Sequence, residues 1–260
     1  MDVEGALAWR EAGSGEPVLF LHGLGGSRTA WDPQLQALAA DGYRCVAWDA
    51  PGYGASAPLA GAWTFARLAD AVAELATAAG AEGFHLVGLS LGGMIAQHVA
   101  LRHPARVRTL ALLATSPAFG HDGVTQPDEW RRARLAPLAA GHEPGDFADI
   151  VLRAIAGPAI GEEALAAQVA AMTRVPSAAL RQAVDCLVTH DTRAMLPDVR
   201  TPTLVLVGEL DEETPPTYAR ALAELIPGAA LEVIPGAGHL LHVEAPDAVN
   251  DALRAHFEAA

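Results

Sequence analysis

Short apolar runs of strand character alternate with longer stretches of helical spacing along most of this chain. Residues 3–11 and 17–21 read as strands joined through Gly13-Ser14-Gly15, an antiparallel start. Helical spacing over 31–40 leads to a strand at 44–48, which ends in the loop Asp49-Ala50-Pro51-Gly52. An alanine-rich helix is expected over 65–79, with a stop at Gly80. A strand at 84–89, a helix at 90–103 halted by Pro104, and a strand at 107–114 follow. Between 116 and 196 the alternation breaks. Only helical patterns occur there, at 128–138, 145–156, 161–173 and 177–190, separated by Pro and Gly. Phe147, Ile150, Val151, Ala154 and Ile155 share one helical face, as do Leu180, Val184, Leu187 and Val188. Strands at 203–207 and 230–234 then alternate with helices at 217–225 and 243–257. The pattern predicts a parallel α/β core of residues 1–115 and 197–260, with residues 116–196 inserted as a helical lid.

Composition narrows the class. At 260 residues, with half of them apolar, the chain can bury one large core. The formal net charge is −14, and all 17 basic residues are arginine. An acidic balance without a basic cluster argues against nucleic acid and against anionic membranes. Cys45 and Cys186, one in a strand and one in a helix, read as reduced thiols in packed positions rather than a disulfide framework. The first five residues carry neither a basic region nor an apolar stretch, and no run approaches a membrane span, so the expectation is a cytoplasmic protein.

The chemistry concentrates in three loops. Gly88-Leu89-Ser90-Leu91-Gly92-Gly93 lies between the strand at 84–89 and a helix. A serine between glycines at such a turn is held in a strained backbone conformation, with its hydroxyl exposed at a helix N-terminus that favours developing negative charge. Side chains at 88 and 92 would collide with the neighbouring strand and helix. Asp211 follows the strand at 203–207 within Gly208-Glu209-Leu210-Asp211-Glu212-Glu213-Thr214-Pro215, at the sheet edge where sites form in parallel sheets. His239 follows the strand at 230–234 in Pro235-Gly236-Ala237-Gly238-His239, whose glycines let the loop bring an imidazole over that edge.

Three motifs in the order Ser, Asp, His, each after the right strand, strongly resemble the α/β-hydrolase superfamily in its serine-nucleophile branch, over essentially the whole chain. The resemblance implies a mostly parallel eight-stranded sheet flanked by helices, with Ser90, Asp211 and His239 as catalytic triad. It also implies an oxyanion hole from the backbone N–H groups of Leu24, in His22-Gly23-Leu24-Gly25-Gly26, and of Leu91, the residue after the nucleophile. Leu24, Leu91, Trp130 and Leu240 are the expected substrate-binding residues.

Neighbouring residues compete for these roles. Glu209, Glu212 or Glu213 could replace Asp211 as the acid, leaving Asp211 as a helix cap. His242 sits at the edge of the following helix, too late for the loop, and reads as a partly exposed neighbour of His239. His85 reads as a hydrogen-bonded core residue, His22 as a brace for the oxyanion loop, and Asp49 as part of a structural turn. His98, His103, His121, His142, His190 and His256 show no ligand spacing, so no metal and no cofactor are expected.

Haloalkane dehalogenases and epoxide hydrolases of this fold use an aspartate nucleophile, so serine at 90 argues against both. Carbon–carbon bond hydrolases and cofactor-free perhydrolases share the triad. Gly88–Met94, Asp211–Pro216 with its doubled proline, and Ala194–Pro202 are similar to 3-oxoadipate enol-lactonases and small carboxylesterases. The expected activity is hydrolysis of small to medium carboxylic esters or lactones through an acyl-enzyme, with acyl chains of about two to six carbons preferred over long ones. An enol-lactonase, a carbon–carbon bond hydrolase and a slow ligand receptor on the same fold are the alternatives. An anionic lactone would need a cation, for which Arg131, Arg132 and Arg134 are the lid's only cluster; a solvated helix face is their simpler reading.

Overall fold

A computed structural model describes residues 7–259. Its first four elements are the strand β1 (Trp9–Ala12), the strand β2 (Glu16–Leu21), the helix α1 (Asp32–Ala40) and the strand β3 (Tyr43–Trp48). Helix α2 (Phe65–Ala78), strand β4 (Phe84–Leu89), helix α3 (Leu91–Arg102) and strand β5 (Val107–Leu113) continue the alternation. Four helices then follow one another: α4 (Pro127–Ala139), α5 (Pro144–Ile155), α6 (Glu162–Thr173) and α7 (Ser177–Leu187). Strand β6 (Thr203–Gly208), helix α8 (Pro216–Leu225), strand β7 (Ala230–Ile234) and helices α9 (Leu241–Glu244) and α10 (Pro246–Glu258) complete the chain.

The strands form one sheet in the order β1-β3-β2-β4-β5-β6-β7, parallel except for the β1–β3 pair. β4 and β6 are buried at every position, as strands covered on both faces must be. Alternate side chains feed two cores. Leu19, Leu21, Leu86 and Val205 pack with α2, α3 and α8. Val18, Phe20, Val87 and Leu206 pack with α1 and α10 on the other face. This is the α/β-hydrolase architecture.

Three expectations are corrected here. The sheet has seven strands among the described residues rather than eight, one for each extended run in the sequence. β1 is antiparallel but pairs with β3, Trp9 opposite Trp48, instead of forming a hairpin with β2. Apolar β2 takes an interior place between β3 and β4, whereas β1, exposed at Arg10 and Glu11, suits an edge. Residues 3–6 of the expected first strand lie outside the described residues. The last helix of the insertion stops at Leu187, short of 190. Beyond it the His190 carbonyl accepts the Phe119 N–H at 2.8 Å, and Ala118 bridges to Asp191. Pairing with the segment after β5 thus outcompetes one more helical turn.

The segment α4–α7 lies entirely between β5 and β6. Ala148 and Leu152 of α5 and Leu165 and Met172 of α6 form a third small core with Leu240 and Val243, directly after β7's loop. That contact sets the helical segment over the carboxyl edge of the sheet.

Candidate active site

Ser90 occupies the turn between β4 and α3 with φ +54° and ψ −117°, a conformation that L side chains rarely adopt. The surroundings hold it there. Its N–H donates to the Leu113 carbonyl at 2.8 Å, and its carbonyl accepts both the Met94 N–H at 3.0 Å and the Thr115 hydroxyl at 2.8 Å. A Cβ at Gly88 would run into the Gly92 carbonyl, and one at Gly92 into the backbone of Leu21. The two glycines therefore let helix, turn and strand β2 approach to backbone contact.

Asp211 and His239 meet over the adjacent strands. Nδ1 of His239 lies 2.9 Å from Oδ2 of Asp211 and 3.1 Å from Oδ1. Asp211 is 3% exposed and His239 6%. The same carboxylate accepts the N–H groups of Glu213 at 2.9 Å and Thr214 at 3.0 Å, and the Thr214 hydroxyl at 2.8 Å. Burial would raise Asp211, but the imidazole opposite it and these donors outweigh burial and hold it below the ordinary carboxylate range. Burial likewise opposes a charged His239, yet Asp211, with Glu213 and Glu244 beyond it, holds the ring above its ordinary 6.5. With Nδ1 turned to the carboxylate, Nε2 is the nitrogen able to accept a proton.

The loop after β2 runs beside the serine: a Cβ on Gly23 would stand 3.3 Å from Ser90 Cβ. His22 braces this loop. Its Nε2 accepts the Ala50 N–H at 3.0 Å, which places the proton on Nδ1, and Nδ1 donates to the Gly23 carbonyl at 2.8 Å. Asp49 accepts N–H bonds from Arg28 at 2.9 Å and Ala55 at 3.1 Å, tying the neighbouring turn together. Leu91, first residue of α3, has an N–H without an intrahelical acceptor by helix geometry.

Ser90 and His239 line two adjoining cavities. The larger, of about 510 Å³, is walled by Leu24, Phe147, Val151, Met172, Val184, Leu240 and other apolar side chains, with Gln168 a polar exception. The smaller, of about 320 Å³, is more polar, with Ser116, Glu212, Glu213, Thr214 and Tyr218 in its wall. Trp130, Arg134, Leu187 and Glu213 border both. Arg134 grips both oxygens of Glu213, at 2.6 and 2.7 Å, and its guanidinium lies 5.0 Å from the Trp130 ring centroid. A strut thus joins α4 to the loop that carries Asp211.

Leu24, Trp130 and Leu240 line the larger cavity, but Leu91 lines neither. Its side chain is 3% exposed and packs with the core of α2 and α3, so it does not reach the cavities. His242 is fully buried rather than partly exposed, 4.9 Å from the Trp31 ring, and neither ring nitrogen has a partner. Burial pushes it down to about 3, so it is neutral. His85 hydrogen-bonds Thr109 at 2.8 Å within the core. Of the three arginines in α4, Arg131 pairs with Asp185 and Arg134 alone reaches the cavities. Met172, Gln168 and Leu152 are lining residues that the motifs do not mark; the helical faces of Phe147 and Val184 are visible as periodicity, but not what they cover. Among the described residues no three His, Cys, Asp or Glu side chains gather as metal ligands, and no helix is long and apolar enough to cross a membrane.

A sequence model of the alpha/beta hydrolase family matches residues 18–252. The chain is 34% identical to the pimeloyl-[acyl-carrier protein] methyl ester esterase of Chromobacterium violaceum, over 95% of this chain and 96% of that protein. A thermophilic esterase from Thermogutta terrifontis superposes with a TM-score of 0.86 at 30% identity, covering 97% of this chain and 93% of the other. The enol-lactonase from Burkholderia xenovorans gives a TM-score of 0.87 over 97% and 96% of the two chains; at 24% identity this is a likeness of fold.

Proposed function

The chain belongs to the alpha/beta hydrolase family and is a hydrolase of that type, and on this premise we propose that it is a serine carboxylic ester hydrolase acting through an acyl-enzyme. The observation that carries the reading is the coincidence of a strained, glycine-flanked Ser90 with a buried His239–Asp211 pair at 2.9 Å on the wall of one cavity. Ser90 Oγ attacks the ester carbonyl while His239 Nε2 takes its proton. Asp211 fixes the ring's tautomer and stabilises the imidazolium. The oxyanion is received by the N–H groups of Leu24 and Leu91. His239 then gives its proton to the leaving alcohol, and water, activated by the same nitrogen, releases the acid.

In this reading residues 116–196 act as the lid, and residues 1–115 with 197–260 as the catalytic core. The apolar cavity takes the acyl chain. A volume of about 510 Å³ suits ligands of drug size, so the preference extends beyond the shortest acyl groups. Arg134 already carries Glu213 as its counter-ion, which favours neutral esters over lactones bearing a carboxylate. A p-nitrophenyl ester series tests both points: we expect a kcat/KM maximum at about six to ten acyl carbons, with Ser90→Ala at least about a thousandfold slower. A maximum at two carbons would refute the acyl assignment. Near wild-type turnover by Ser90→Ala would refute the mechanism.

A further inference from the structure

One carboxylate outside the three triad positions is placed to control the histidine loop. Glu244, the last residue of α9, accepts three backbone N–H groups: Gly238 at 2.6 Å and Gly157 at 3.0 Å on Oε2, and Leu240 at 2.9 Å on Oε1. Gly238 and Leu240 flank His239, whose own N–H donates to the Ile155 carbonyl at 3.1 Å. Ile155 is the last residue of α5 and Gly157 lies two residues beyond it, in the segment between β5 and β6. All three N–H groups from 238 to 240 are therefore held either by Glu244 or by that segment. The contact is close enough to need glycine on both sides: a Cβ at Gly157 would meet the Gly238 nitrogen at 2.5 Å, and one at Gly238 would run into the Gly157 nitrogen.

The structure assigns to Glu244 the role of a positioning residue, which clamps the His239 loop to the end of α5 and so keeps the imidazole aligned between Asp211 and Ser90. This assignment rests on the serine hydrolase reading above. A charged carboxylate is required, because an amide would turn an NH2 group toward N–H donors on one of its two sides. Glu244 also adds negative charge near His239, alongside Asp211 and Glu213, the latter paired with Arg134; His242 on α9 is buried and uncharged.

Glu244→Gln, compared with wild type per titrated active site, separates this role from plain structural support. We expect kcat to fall about 10- to 100-fold, as for other partners that orient a reacting side chain, with KM changed less than about threefold and the acid limb of the pH–rate profile moved to lower pH. If Glu244→Gln does not fold, Glu244→Asp keeps the charge but draws the carboxylate back from the Gly157 and Gly238 N–H groups that share Oε2. It should lower kcat and leave the acid limb at its wild-type position. Wild-type kcat per site with an unmoved limb, even at a lower melting temperature, would overturn the proposal, as would a wild-type kcat in Glu244→Asp. Ser90→Ala run in parallel isolates the underlying reading: if it keeps turnover, the serine mechanism fails whatever Glu244 does.

Discussion

His239 has to be neutral to act as a base, yet its surroundings favour the charged ring. Activity is lost as pH falls through the pKa of His239, and because Asp211 raises that value, the midpoint of the acid limb of kcat/KM is expected above 6.5. Asp211→Asn removes the largest raising influence, so it should move the limb downward while lowering kcat by about 10⁴, through loss of the correct tautomer. A pH–rate profile of both proteins checks this; an unmoved limb in Asp211→Asn would contradict it. At this scale the sequence is most readable where chemistry is local. The glycines around Ser90 and the loops of Asp211 and His239 stand out because each motif is confined to a few residues after a strand. Glu244 escapes notice and Arg134 reads only as part of an arginine cluster, since Gly157, which Glu244 ties to the loop, and Glu213, which Arg134 grips, lie 87 and 79 positions away in the chain. His242 is misjudged for a similar reason. Its burial comes from Trp31 and α1, which nothing near position 242 reveals.

Among the elements, the helical segment α4–α7 builds the cavity walls, and its apolar faces set what fits. Val184 of α7 is fully buried in the wall of the larger cavity. Val184→Phe should shorten the preferred acyl chain by about two to four carbons, measurable in the same ester series; an unchanged optimum would mean that acyl chains lie elsewhere. Arg134 on α4 tests the strut. Both partners are about one-third exposed, so Arg134→Ala should cost no more than about 1 kcal/mol in stability, while altering KM more than kcat. The strands and the four helices of the insertion are legible from periodicity, because burial on both faces leaves continuous apolar strands and one-sided burial leaves helical stripes. Pairing partners are not. β1 joins β3 rather than β2 through contacts across the sheet that no local pattern encodes, and α7 ends early because the segment after β5 claims its continuation.

For the molecule as a whole, buried neutral histidines set the response to acid. His85 is held at about 4, and His190 and His242 at about 3, chiefly by burial. Unfolding frees each ring to bind a proton, so the unfolded state gains protons below about 6.5 and stability falls with pH. Each contributes ~2 kcal/mol of loss between pH 7 and pH 5, before the carboxylates titrate. Chemical denaturation across that range should show the decline; constant stability would contradict the burial of these rings. His242→Phe, which removes two unpartnered buried nitrogens, should reduce the decline and leave stability at pH 7 unchanged or higher. Every step proposed for the site depends on Ser90 acting as a nucleophile that turns over acyl groups. Titration of the intact protein with a serine-reactive fluorophosphonate, read by mass spectrometry and followed by turnover on p-nitrophenyl esters, tests it most directly. The prediction is one label per chain, located on Ser90, with ester turnover lost in proportion to labelling. Labelling at another residue, or full turnover by a fully labelled protein, would contradict it.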